Sequence, residues 1–139
     1  MLQFDFKKRV RYGETDMMGY LYYGNYAQYY EIGRVETFRH IGFPYLRLEE
    51  EFGIMMPVKS MQMRFLRPAK YDDLVTIRTI LKDFPKERAW FRTELYNEKG
   101  KLLNAGDIRL AFADMKTGKG CLPPKEMLDA VREFFEEQI

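Results

Sequence analysis

One cysteine, one histidine and one tryptophan stand among 139 residues, and each scarcity removes a class of chemistry. A lone Cys121 allows no intrachain disulfide, which fits a reducing cytoplasm. His40 as the sole imidazole rules out a zinc site of the Cys/His type. A Ser-His-Asp triad would have to use His40, and no nucleophile-elbow pattern exists to serve it. Glycine patterns of the phosphate-loop or dinucleotide kind are missing as well. No run of about 18 apolar residues occurs, so no membrane-spanning helix is expected. The start, MLQFDFKKRV, alternates apolar with charged residues and lacks the apolar core of a signal peptide. A net charge of +2 gives little footing for nucleic acid or an anionic membrane. Carboxylates, hydroxyls, backbone amides, arginine and lysine remain to do chemistry, and neither a metal nor a cofactor is expected.

What is present is an ordinary globular composition, 46% hydrophobic and 32% charged, in a length that suits one domain over residues 1–139. The densest information lies between Tyr12 and His40. Glu14, Thr15 and Asp16 are followed by Gly19, Gly24 and Asn25, and then by a periodic run. Residues 23, 26, 27, 30, 37, 38 and 41, apolar apart from Thr37, trace one face of a helix. Gly33 falls on that face, where glycine costs about 1 kcal/mol against alanine. Its presence predicts a close approach by another element, such as a sheet packed on the helix. Asp16 therefore sits seven residues before a helix start whose free N–H groups favour negative charge.

The rest reads as short strands and two further helices. Phe4 to Val10 alternates as a first strand, and Gly42-Phe43-Pro44 stops the long helix. Tyr45 to Phe52 suggests a short helix ending at Gly53. Met55 to Leu66 alternates with Met61, Met63 and Phe65 on one face. Strands are expected over Leu74–Phe84, Arg88–Asn97 and Leu102–Met115, joined by short turns. Pro123-Pro124 opens a last helix with Met127, Leu128, Val131, Phe134 and Phe135 on its stripe. Short connections favour an antiparallel sheet, and the long helix must cover one of its faces. The pattern alone reaches an α+β fold.

The loop and helix resemble the hotdog-fold thioesterases of the 4-hydroxybenzoyl-CoA thioesterase type, which open with Tyr-x-x-x-Asp-x-x-Gly and run into Asn-Tyr. Those positions are Tyr12, Asp16, Gly19, Asn25 and Tyr26, and the likeness continues through Arg67 to Asp73, over residues 4–135 in all. The resemblance implies a five-stranded antiparallel sheet wrapped around a long central helix, with a C-terminal helix and a homodimer or homotetramer. It implies an acyl-CoA thioesterase that uses water and no cofactor. Asp16 falls on the family's catalytic carboxylate, as nucleophile or as general base. The Tyr23 amide falls on the group that polarises the thioester oxygen. Many relatives carry histidine there, so a side-chain role does not carry over to Tyr23.

Each candidate also has a plainer reading. Asp16 also reads as a turn aspartate, and Tyr23 as the first residue of the apolar stripe. Gly24 and Tyr26 are expected beside the substrate. Lys86 and Arg88 are candidates for the CoA phosphates, as are Arg64, Arg67 and Lys70; each also reads as a solvated charge. Glu31 reads as a supporting polar group and Arg34 as a structural ion-pair partner. Eight of the ten tyrosines lie between Tyr12 and Tyr45, which suits an acyl pocket or a subunit interface. Met55, Met56, Met61 and Met63 would form an adaptable apolar wall. The alternatives are an acyl-acyl-carrier-protein thioesterase and a non-catalytic acyl-CoA-binding module. The lone His40, far along the helix from Asp16, weighs against a hydratase.

Overall fold

The computed structural model describes residues 1–136. In chain order it contains β1 (Leu2–Arg9), a 3-10 turn (Tyr12–Glu14), a second 3-10 turn (Tyr23–Asn25) and α1 (Tyr26–His40). Then follow α2 (Tyr45–Phe52), β2 (Ile54–Met55), β3 (Val58–Phe65), β4 (Leu74–Leu81), β5 (Arg88–Tyr96), β6 (Leu102–Ala111), β7 (Ala113–Asp114) and α3 (Lys125–Glu136). The main sheet has the order β1-β4-β5-β6-β3, and β2 and β7 form a separate pair. Every pairing is antiparallel. The α+β architecture with a long helix on a five-stranded sheet is as expected. Among the described residues no helix is long and apolar enough to cross a membrane.

The glycines and prolines set the boundaries. α2 ends at Gly53, whose φ of 63° is left-handed, as the Gly53 stop predicts. Pro57 interrupts the strand expected over Met55 to Leu66, because proline has no N–H to give a ladder. The result is two strands: β2 leaves to pair with β7, and β3 joins the main sheet through β6. The expected fifth strand divides in the same way, at Phe112, between β6 and β7.

α1 lies over β1 and β4, and Gly33 is the point of closest approach. A methyl group built on Gly33 would fall 2.5 Å from Thr79 Oγ1 and 2.6 Å from Ile77 Cγ2. Gly33→Ala gains about 1 kcal/mol of helix propensity but overpacks a contact that typically costs about 1–3 kcal/mol. A net loss of roughly 1 kcal/mol is expected, seen as a Tm lower by about 3–6 °C. A Tm that rose instead would show that α1 and the sheet can separate freely there.

The buried face of α1 comprises Tyr26, Tyr29, Tyr30, Gly33, Arg34, Thr37 and Phe38. Tyr29 is fully buried while Tyr23 is 68% exposed, so the true stripe is shifted from the one read off apolar residues. Tyrosine buries its ring and keeps one hydrogen-bonding tip. Tyr30 uses that tip to donate to Asn104 Oδ1 on β6. On α3, Met127 and Val131 are buried as expected, and Phe134 and Phe135 pack against His40 and Phe84.

β3 is the outlier. It forms an edge of the sheet, and seven of its eight residues are exposed. Its register pairs Met61 with Ile108 and Phe65 with Asn104, both buried, so Met61, Met63 and Phe65 face the helix side of the sheet. Yet α1 covers the opposite half, and Met61 and Phe65 remain 44% and 54% exposed.

Candidate active site

Asp16 sits in a loop that the chain ties down from both sides. Its carbonyl accepts from Gly19 N–H at 3.0 Å, closing a turn in which Gly19 takes a φ of 76°. Leu21 N–H donates to the Ala69 carbonyl and Tyr71 N–H to the Gly19 carbonyl, stitching the loop to residues 69–71. Inside the turn, Asp16 Oδ1 accepts from Met18 N–H at 2.9 Å and Tyr20 N–H at 3.3 Å. Oδ2 has no hydrogen-bond partner and the carboxylate has no ion pair among the described residues. One oxygen is held and the other is free, which is the arrangement a positioned base or nucleophile requires.

Glu14 holds this loop to the helix. Its carboxylate accepts from Arg11 N–H at 2.8 Å, Tyr29 O–H at 2.7 Å and Lys8 Nζ at 3.0 Å. Its carbonyl accepts from Tyr22 N–H and from Asn25 Nδ2. Asn25 thus braces the loop with its side chain instead of capping α1. Burial alone would raise the Glu14 pKa, but the donors from Arg11, Tyr29 and Lys8 outweigh it and hold the group below its ordinary value. The unfolded chain therefore binds more protons on this residue below about pH 4.3, and stability is lost as pH falls through that window. Glu14→Gln is expected to lower Tm at neutral pH and to show a shallower acid limb than wild type. Parallel acid limbs in pH-resolved thermal melts would remove the linkage.

A cavity of about 360 Å³ opens beside Asp16, lined also by Tyr20, Tyr23, Tyr26, Phe65 and Arg67. Tyr23 begins the 3-10 turn that runs into α1, and neither its amide nor that of Gly24 has an acceptor among the described residues. These are the free donors a helix start provides. A Cβ on Gly24 would meet the Tyr22 ring at 2.7 Å, so glycine lets that ring fold across the turn. Tyr26 is buried, with its hydroxyl near Ala69 N–H at 3.4 Å and its ring edge-on to Phe65.

Asp16, Tyr23 and Tyr26 thus line one cavity, with Gly24 in the adjoining turn. Lys86 and Arg88 are elsewhere: both are exposed at the β4–β5 turn, where Arg88 pairs with Ala111 beside Pro57. That is the Val58 end of β3, whereas Asp16 is at the Phe65 end, roughly 23 Å along the strand. Of the other basic candidates, Arg67 lines the Asp16 cavity and Lys70 bridges to Tyr20.

Arg34 departs from its expected role. It is 9% exposed and makes no ion pair or hydrogen bond among the described residues, and its Nη1 is buried without a partner. Burial lowers its pKa, and Glu31 and Tyr45 only partly offset this. Its place four residues after Tyr30 and four before Phe38, on the buried stripe, was the signal of its burial.

Residues 10–131 match the model of the thioesterase-like superfamily. The chain is 31% identical over 93 residues to a putative acyl-CoA thioesterase, YneP, of Bacillus subtilis, covering 67% of each chain. It is 28% identical over 120 residues to the acyl-CoA thioester hydrolase YbgC of Escherichia coli O6:H1, covering 86% of this chain and 89% of that one. Among solved structures it resembles a DHNA-CoA thioesterase from Staphylococcus aureus, with a TM-score of 0.88 and 28% identity over all of this chain and 97% of the other. With this sheet wrapped on α1 and this match along most of its length, the chain belongs to the thioesterase-like superfamily.

Proposed function

We propose that this thioester hydrolase acts on acyl-CoA, with Asp16 as nucleophile or general base and the Tyr23 amide as oxyanion donor. The observation that supports it is the cavity in which a half-free carboxylate and the unpaired start of the 3-10 turn leading into α1 meet. As base, Asp16 Oδ2 takes a proton from water, the hydroxide adds to the thioester carbonyl, and the C–S bond breaks to release CoA thiolate. As nucleophile, Oδ2 adds to that carbonyl itself and thiolate leaves a mixed anhydride, which water then cleaves. In either route negative charge develops on the carbonyl oxygen, where N–H donors at a helix start stabilise it. Arg67, on the cavity wall, and Lys70, bridged to Tyr20, are the cations this reading offers to the phosphates of CoA. The proposed location is the cytoplasm, in keeping with the lone Cys121.

The same reading includes a second copy of the chain paired along β3. An exposed edge strand with an uncovered apolar face calls for a partner, and a two-fold axis makes the paired strands antiparallel. The partner's Val58 end then lies against this chain's Phe65 end, and the partner's Lys86 and Arg88 come toward this chain's Asp16 site. Hydrolysis of a panel of aliphatic and aromatic acyl-CoA esters, followed by thiol release, tests the function. Turnover is expected on at least one class. A panel that stays intact while acyl-carrier-protein esters are cleaved would change the carrier, and inertness toward both would leave a binding module.

A further inference from the structure

Tyr26 is the first residue of α1, and helical side chains lean back toward the N-terminus. Its ring therefore turns toward the 3-10 turn before it and lines the Asp16 cavity while only 3% exposed. Phe65 packs edge-on with 5.0 Å between ring centroids, and Ala69 N–H approaches the hydroxyl oxygen at 3.4 Å. That contact is longer than an ordinary N–H···O bond, and it occupies the oxygen and not the proton. The phenol proton has no acceptor among the described residues; it makes no bond to Asp16, whose Oδ2 is free as well. A buried O–H without an acceptor is costly, so this proton calls for one that enters the cavity. Of the three tyrosines on the cavity wall only Tyr26 is buried, so only its hydroxyl is held in place by packing.

Burial and the Asp16 charge both disfavour the phenolate and raise the Tyr26 pKa, although Ala69 N–H opposes them. The group therefore stays protonated and offers the cavity a neutral donor. Tyr23, whose amide is also free, stands three residues earlier, and residues three apart in a 3-10 turn fall on the same side. A carbonyl oxygen has two lone pairs, and the Tyr23 amide uses one of them. We propose that Tyr26 O–H is a second donor to the thioester oxygen, beside the Tyr23 amide, and thus a catalytic residue of this site. In the bound ester it orients the carbonyl. As water or the carboxylate adds, the C=O electron pair moves onto oxygen, and both donors stabilise that charge with no proton transferred. When the C–S bond breaks, the pair returns to rebuild the carbonyl. The inference rests on the thioesterase reading of the cavity.

Tyr26→Phe removes one oxygen and keeps the ring against Phe65, so the variant should fold with a Tm close to that of wild type. Its kcat should fall about 100-fold, with KM within about threefold, as for the loss of one preorganised donor. Two unreactive CoA analogues locate the effect by calorimetry. One is a thioether, which lacks the carbonyl; the other is a ketone, in which a methylene replaces the sulfur and the carbonyl stays. Tyr26→Phe should weaken the ketone by about tenfold and leave the thioether unchanged, because only the ketone offers the phenol an acceptor. Turnover within about threefold of wild type would overturn the proposal. So would equal weakening of both analogues, which would make Tyr26 a packing residue. A fall in kcat with both analogues bound as in wild type would put the phenol on Asp16 or its water and overturn it too. If wild type hydrolyses no CoA ester, the thioesterase reading fails, and the analogues still decide the role of the phenol. Selective weakening of the ketone then keeps Tyr26 at a carbonyl oxygen, and no selectivity removes it.

Discussion

Asp16→Asn is expected to lower kcat for acyl-CoA hydrolysis by at least about 100-fold, the low end of what a positioned base contributes. Asparagine keeps an oxygen that can accept from Met18 N–H and Tyr20 N–H, so the turn should persist and Tm should hardly change. What it removes is the free Oδ2 and its charge, so the effect should fall on kcat more than on KM. Tyr23→Ala is the informative contrast: the side chain is 68% exposed and the amide survives the substitution, so turnover should stay within about tenfold of wild type. Hydrolysis in ¹⁸O-water under single-turnover conditions tests for an anhydride that water opens at the Asp16 carbonyl carbon. Label in the Asp16 carboxylate requires the anhydride, whereas label only in the released acid fits a base or an anhydride opened at its acyl carbon. Asp16→Asn turnover within a few-fold of wild type would reduce Asp16 to a turn residue and send the search to Glu31.

Much of this was legible because it is local. Gly33 announced the contact with the sheet, Gly53 ended α2, and alternation placed Met61, Met63 and Phe65 on one face. The Asp16 turn and the helical run that follows were also readable, since Tyr23 stands only seven positions after Asp16 in the sequence. Other features depend on which strands become neighbours, and no short-range pattern carries that information. The order β1-β4-β5-β6-β3 puts β3 on an edge and moves Lys86 and Arg88 to the end of the sheet away from Asp16 in the same chain. Glu14 draws its partners from Lys8 and Tyr29, on two different elements. Tyr29 and Arg34 were hard to place for a chemical reason: each has an apolar body and a polar tip, so composition does not say which end will be buried.

The edge strand leads to the second large effect. Met61→Asp is expected to convert a dimer into monomers. Met61 is on the uncovered inner face of β3, 44% exposed, where a second copy would bury it. A two-fold interface counts each substitution twice. Losing that burial and adding a charge to each copy should cost roughly 3 kcal/mol, about 100-fold in Kd. Met115→Asp is the matched control, since Met115 is 46% exposed but follows β7, which pairs with β2 and not with β3, and its substitution should leave assembly unchanged. Sedimentation across a dilution series reads the first effect. Specific activity over the same series tests the proposed pairing, in which the partner's Val58 end completes the site and turnover falls as the dimer dissociates. Monomeric wild-type protein would remove the pairing along β3. A Met61→Asp monomer as active as wild type would leave the pairing standing but place the whole site within one chain.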